Sequence, residues 1–256
     1  MMRLLASLIA FCLLALPLQA EELVLGLSQE EVRITTRFDG SDILIYGAIK
    51  RDLSAVDPEE EPLHVIITVA GPSGPTTVWR KERVAGIWMN TDSVEIDRAP
   101  SFYAVATTGP LPDILSETED LRHKISIPRA IRSVGAPQGI EDAGSFTDAL
   151  IRIRERNGSY LINEDSAELR ESTLFDTRIT LPANLTEGEY TTRIFVTRDG
   201  AVLTHEEAPI LVRKVGLERW LFTLSRQQPL LYGLLSLALA VAAGWGASTF
   251  FQLIRR

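Results

Sequence analysis

In the first half of the chain, apolar residues recur at close to every second position, the spacing of strands that turn one face to a core. The runs EVRITTRF (31–38) and DILIYGAIKR (42–51) show it, with Asp39-Gly40-Ser41 between them as a hairpin-like junction. PLHVIITVAG (62–71) ends in Gly71-Pro72-Ser73-Gly74-Pro75, which breaks any regular element and predicts a turn before TTVWRKERVAGIWMN (76–90). SFYAVATT (101–108) follows Pro100. No helix of crossover length separates these runs, so the pattern predicts an antiparallel sandwich rather than a parallel sheet.

The middle has a different period. LPDILSETEDLRHKI (111–125) puts Ile114, Leu115, Leu121 and Ile125 at helical spacing, and SFTDALIRIRERNG (145–158) does the same with Phe146, Leu150 and Ile153 before a stop at Asn157-Gly158. A helical segment over about 111–157 is predicted, laid beside the sheets as an insertion or as a boundary between two smaller units. Strands resume with SYLIN, TLFDTRITLP, GEYTTRIFVTRDG and AVLTHEEAPILVRK, with Arg198-Asp199-Gly200 as the turn of the final hairpin. The run LPANLTEGEYTTRIFV resembles the tyrosine corner of immunoglobulin-like sandwiches, with Tyr190 as the corner residue; an ordinary half-buried strand tyrosine is the competing reading. The expected fold is mainly β: one or two immunoglobulin-like antiparallel β-sandwiches over 21–215, a short helical middle, and one C-terminal transmembrane helix.

That last helix follows from the end of the chain. From Gln227 to Ile254 there is no charged side chain, and the apolar stretch from Leu230 to Leu253 is about 36 Å long as a helix, enough to span a hydrocarbon layer with some tilt. A buried helix of a soluble core is the competing view. The predicted span covers 229–254, Pro229 suits its first turn, and Tyr232 at one end with Arg255 and Arg256 at the other are the expected interface anchors. Ahead of it, GLERWLFTLSRQ (216–227) places Leu217, Trp220, Leu221 and Leu224 on one side, the pattern of an amphipathic collar over 216–228 lying at the interface, with Trp220 as a further anchor. Ser236, Ala240, Gly244 and Ser248 recur every fourth residue and form a candidate packing face for another span.

The opposite end carries Arg3, an apolar run from Leu4 to Leu16 and a small residue, Ala20, the features of a signal peptide over 1–20. It breaks the tie left by basic residues on both sides of the span. The bulk of the chain is expected outside the membrane, with 255–256 cytoplasmic. Cys12, the sole cysteine, lies in this leader, so no disulfide or thiolate ligand is expected beyond it. Between 21 and 215, 21 Lys and Arg face 33 Asp and Glu, a net charge of about −12 that repels nucleic acid and anionic headgroups.

Few residues along the chain have the types and spacing that chemistry requires. His64, His123 and His205 are far apart in sequence, with no pair at the helical or hairpin spacing of a metal site. The acidic run DPEEEP (57–62) lacks the glycine turn of a calcium loop and reads as a solvated linker. No catalytic signature, metal site or cofactor is expected, although paired carboxylates for hydrolysis leave no linear trace. The best candidate for a binding surface is VWRKERVAGIWMN, where Trp79 and Trp88 flank Arg80, Lys81 and Arg83 inside an acidic domain. The alternative has the tryptophans filling the sandwich core while the cations face water.

Three separated phrases carry a resemblance: VWRKERVAGIWMNTDSVEIDRAPSFYAVATT, LPANLTEGEYTTRIFVTRDG, and VRKVGLERWLF leading into PLLYGL and GWGA. Together they resemble the transmembrane protein family of alphaproteobacteria, over nearly the whole chain. The resemblance implies an inner-membrane location with a periplasmic domain, and a setting beside a small-anion exporter of the sulfite/taurine exporter type. It implies no catalytic residues. The function expected is therefore binding, as an accessory to a neighbouring membrane protein, with self-association open; the rival is a tethered hydrolase or ligand-binding domain with dispersed carboxylates.

Overall fold

The computed structural model describes residues 22–35, 38–50, 61–133 and 142–254. The leader, most of the acidic run at 57–62 and the anchors Arg255 and Arg256 lie outside the described residues. Twelve strands and six helices are described. In chain order they are β1 (Glu22–Leu27), β2 (Glu31–Ile34), β3 (Ser41–Lys50), β4 (His64–Ala70), β5 (Ser73–Val84), β6 (Ile87–Pro100), β7 (Tyr103–Thr107), α1 (Leu111–Ile114), α2 (Glu117–His123), α3 (Ile127–Ala130) and α4 (Ala143–Arg156). They continue with β8 (Tyr160–Asn163), β9 (Glu168–Arg170), β10 (Leu174–Leu181), β11 (Gly188–Arg198), β12 (Ala201–Lys214), α5 (Leu217–Gln227) and α6 (Pro229–Ile254).

Two sheets face each other across one core. The first has the order β1-β3-β10-β9 and the second β2-β12-β11-β4-β7-β8. Alternate residues of both supply the core: Ile43, Ile45, Phe175 and Ile179 from the first meet Val65, Ile67, Ile194 and Val196 from the second. The fold is thus mainly β, with mostly antiparallel pairing as the period-two runs predict, and a C-terminal apolar helix.

The sequence VIITV in β4 is apolar at both parities because the strand is buried on both faces. Its second face, Ile66, joins Tyr103, Val105 and Phe195 in a separate core roofed by Ile114, Ile125, Ile127, Phe146 and Leu150 of the helical segment and by Val78, Val94 and Ile96 of β5 and β6. The helical middle thus covers the outer face of the second sheet.

Several local expectations are overturned. Asp39-Gly40-Ser41 does not close a hairpin, because β2 pairs in parallel with β12 in one sheet while β3 lies in the other. Alternation cannot distinguish a partner across a turn from one 180 residues away. Beyond the first-half runs, the helical segment connects β7 to β8, which run parallel. The predicted helix over 111–125 is broken. Leu115 is extended, Ser116 caps α2 by accepting from the Glu119 amide, and the Asp120 carboxylate accepts from the amides of Ile125 (3.0 Å) and Ser126 (2.7 Å), folding the chain into a turn where a longer helix would continue. Leu121 and Ile153 are exposed as a consequence of these breaks and of α4 showing the sheet only one narrow stripe. Gly71-Pro72 closes no turn: Gly71 N donates to Phe102 O, Ser101 N donates to Pro72 O, and pairing carries on at Ser73.

Tyr190, at the start of β11, is buried, and its hydroxyl donates to the Thr186 carbonyl at 3.0 Å, tying the strand to the loop that precedes it. Gly47 is required where β3 meets β10: a Cβ there would lie 2.4 Å from both the Phe175 ring and the Val24 carbonyl oxygen.

Candidate functional site

β5 and β6 form a two-stranded ribbon that pairs with no other strand among the described residues. It closes at Ala85-Gly86, both at positive φ (50° and 87°), the backbone of a two-residue turn whose twist matches the strands. The Arg83 Nε donates to the Gly86 carbonyl at 3.3 Å across this turn. Register pairs Val78 with Val94, Arg80 with Asp92, Arg83 with Trp88 and Val84 with Ile87, and an extra residue on β6 near Thr91 shifts the register between Arg80 and Lys81.

Strand alternation then sorts the candidate residues. Val78, Val94 and Ile96 fill the outer core, so Trp79 must face away from it, and it is 56 % exposed; Trp88 is 68 % exposed. The alternative in which the tryptophans fill the core fails for that reason. Trp79, Lys81, Arg83 and Trp88 share one face of the ribbon, and residues 81–90 are exposed throughout.

Arg80 is separated from that group. Its Nη2 donates to Ser145 Oγ at 2.8 Å, its guanidinium lies 4.6 Å from the centroid of the Phe146 ring, and Asp142 and Asp92 approach to 3.7 and 4.0 Å. Asp142 also caps α4, accepting from the Ser145 amide. Arg80 is thus a brace between ribbon and helix, bordering a groove of 530 Å³ lined by Trp79, Lys81, Asp148 and Arg152.

Two further groupings escaped the sequence. His123 and His205, 82 positions apart, have ring centroids 5.3 Å apart, with Phe195 against both and Glu119 Oε2 3.3 Å from His123 Nε2. Burial holds the His123 imidazole below its usual pKa; Glu119 pulls the other way, while His205, Arg122 and Arg193 reinforce burial. Only the β11–β12 register, which sets Phe195 opposite His205, with α2 across them, brings these residues together. No grouping of three or more His, Cys, Asp or Glu suited to a metal ion occurs among the described residues. The second grouping is a cleft of 1010 Å³ between β1 and β12, lined by Glu30, Glu189, Glu206 and Glu207 with Leu25, Tyr46 and Pro209.

At the C-terminus, α5 and α6 lie over the segments read as collar and span. Trp220 is exposed, and Tyr232 accepts through its carbonyl from Ser236 Oγ at 2.9 Å. The stretch Pro229–Ser248 is apolar and entirely unburied, which excludes the reading of a soluble-core helix. Ser236, Ala240, Gly244 and Ser248 are all exposed on it, and a Cβ on Gly244 would meet open space.

A β-rich domain followed by a long, bare apolar helix, the one candidate span among the described residues, defines a membrane protein. Residues 22–253 match the family described as Putative transmembrane protein (Alph_Pro_TM), and the chain belongs to that family. No curated protein matches the chain.

Proposed function

We propose that the chain is a single-pass inner-membrane protein whose periplasmic, immunoglobulin-like sandwich is a binding module, acting as an accessory to a neighbouring membrane protein such as a small-anion exporter. The carrying observation is the pairing of a bare span with a ribbon that presents Trp79, Lys81, Arg83 and Trp88 to solvent. Confinement beside a partner raises effective concentration, which benefits a binding protein more than a soluble catalyst. The leader supports export of residues 21–215 and a cytoplasmic C-terminus. Lettering β1, β3, β4, β9, β10, β11 and β12 as A to G makes the two sheets read ABED and GFC, the immunoglobulin-like order, and the Tyr190 contact supports the same assignment. The small-residue face of α6 is the proposed contact with a partner span.

No catalysis is part of this reading. The rival, a tethered hydrolase or ligand-binding domain, has the glutamate-lined cleft in its favour. Against it, Glu206 and Glu207 are successive residues of β12 and project to opposite sides, so the four acids do not all converge.

The test is affinity capture from detergent-solubilised membranes, comparing the wild-type chain with one whose 229–254 segment is replaced by an unrelated span. One membrane protein enriched by the wild type and lost on replacement is expected. Identical captures, or none from either, would refute the accessory role.

A further inference from the structure

The tip of the β5–β6 ribbon is apolar on both faces. Trp88 lies on one and Val84, Ile87 and Met89 on the other, and all four are exposed. Lys81 and Arg83 stand just behind on the Trp88 face, with Glu82 on the opposite one. Whatever covers the tip has to meet both faces at once. Two apolar faces call for surroundings that close around the tip, as a fluid layer does.

Topology says which way the tip is sent. β4 and β12 both pair antiparallel with β11, and Ala70 and Pro209 lie opposite the same residue, Thr191, so the two strands run in one direction. The chain leaves β12 after Lys214 for α5 and α6, and it leaves β4 after Ala70 for the ribbon. Both exits lie at the same end of the sandwich.

The ribbon continues the β4–β7 ladder outward: Gly71 N donates to Phe102 O at 2.8 Å, Ser101 N to Pro72 O at 2.9 Å, and Ser73 then pairs with Pro100. From Ser73 to Val84 it spans about 40 Å, against about 17 Å for the part of β12 beyond Pro209. Even inclined, it is long enough to bring its tip level with the collar.

We infer that this tip is a second membrane contact: Val84, Ile87, Trp88 and Met89 enter the headgroup layer of the bilayer that α6 crosses, with Lys81 and Arg83 against anionic phosphates. Trp88 has the amphipathic ring favoured at that depth. A wedge of four side chains is weak alone, but the span makes its insertion intramolecular. The contact fixes the tilt of a domain whose net charge of about −12 would otherwise hold it away from anionic lipid. The inference depends on α6 spanning the bilayer and on no protein partner.

The full chain, with Cys12→Ser, is reconstituted into vesicles of phosphatidylethanolamine and phosphatidylglycerol. An environment-sensitive fluorophore is placed at Ile87→Cys or, as a control, at Glu117→Cys beside the β11–β12 turn at the opposite end of the sandwich. Both positions are exposed, so labelling leaves the core untouched. Blue-shifted emission quenched by brominated lipid is expected at position 87 and not at 117. Equal, unquenched emission at both would overturn the inference. Replacing Lys81 and Arg83 by serine is expected to lower the inserted-to-free ratio by about fivefold per charge; an unchanged ratio would overturn their assignment as headgroup contacts. A photo-crosslinker at Ile87 in cells separates the possible occupants: lipid adducts support the inference, and adducts to another polypeptide overturn it. Partner capture with the replaced 229–254 segment reads α6 alone, so it fails or succeeds separately; lipid adducts at position 87 would take Trp88, Lys81 and Arg83 out of the partner surface and leave Trp79 as the ribbon's exposed aromatic there.

Discussion

Replacing Arg80 by alanine separates a brace from a binding contact. The side chain, 37 % exposed, makes a hydrogen bond to Ser145 Oγ worth about 1 kcal/mol. Stacking over Phe146 adds about 0.5–1 kcal/mol at a half-exposed site. The ion pairs to Asp142 and Asp92, long and screened by solvent, contribute a few tenths. Together these come to about 2 kcal/mol, roughly a 30-fold rise in the constant for the ribbon opening away from α4. Amide hydrogen exchange on the full chain in detergent micelles reads that opening directly at 76–80 and 92–96, while protection in β3 and β10 should stay constant. Arg80→Lys keeps the charge without the planar fork and should fall between wild type and alanine. Lys81→Ala, which removes a solvent-facing cation, should change exchange by less than about 0.5 kcal/mol. Unchanged exchange in Arg80→Ala, or an equal increase in Lys81→Ala, would refute the assignment of Arg80 as a structural brace.

Tyr190→Phe removes the donor to Thr186 and leaves a carbonyl without its partner, so the urea midpoint should fall by the equivalent of about 1 kcal/mol at constant slope; an unmoved midpoint would discount the corner. The depressed pKa of His123 makes the folded domain bind fewer protons than the unfolded chain once pH drops below the ordinary histidine value of 6.5. The stability this contributes is present above that value and is lost as pH falls through the lowered one. Urea midpoints measured from pH 7.5 to 5 should decline, and His123→Gln should flatten the decline; a slope unaffected by that substitution would exclude His123 as its source.

Much of the site was legible before any coordinates. The phrase VWRKERVAGIWMN stood out because Trp79 and Trp88 flank Arg80, Lys81 and Arg83 within an acidic domain, and strand alternation is enough to put Trp79, Lys81 and Arg83 on a common face. It could not say which face meets the core, since a ribbon with Val78 inward and one with Trp79 inward have the same period. Arg80 was grouped with its neighbours for the same reason: its partners Ser145 and Phe146 lie 65 and 66 positions away. The histidine pair was illegible, being created by a register between β11 and β12 and by a helix packed over them.

The sequence by itself determined what depends on local physics. Period-two runs specify strands, a charge-free stretch as long as a bilayer is thick specifies α6, and Asp199-Gly200 marks the reversal from β11 into β12. Tertiary structure decided everything that depends on which strand meets which. It placed β2 beside β12 rather than β3, folded the helical segment over the outer face of β4 and β7, and sent the apolar tip out of the end that leads to the span. The reason is that backbone hydrogen bonding satisfies any neighbour of the right polarity equally well, so pairing is chosen by burial of side chains far apart in the chain, which no local window contains.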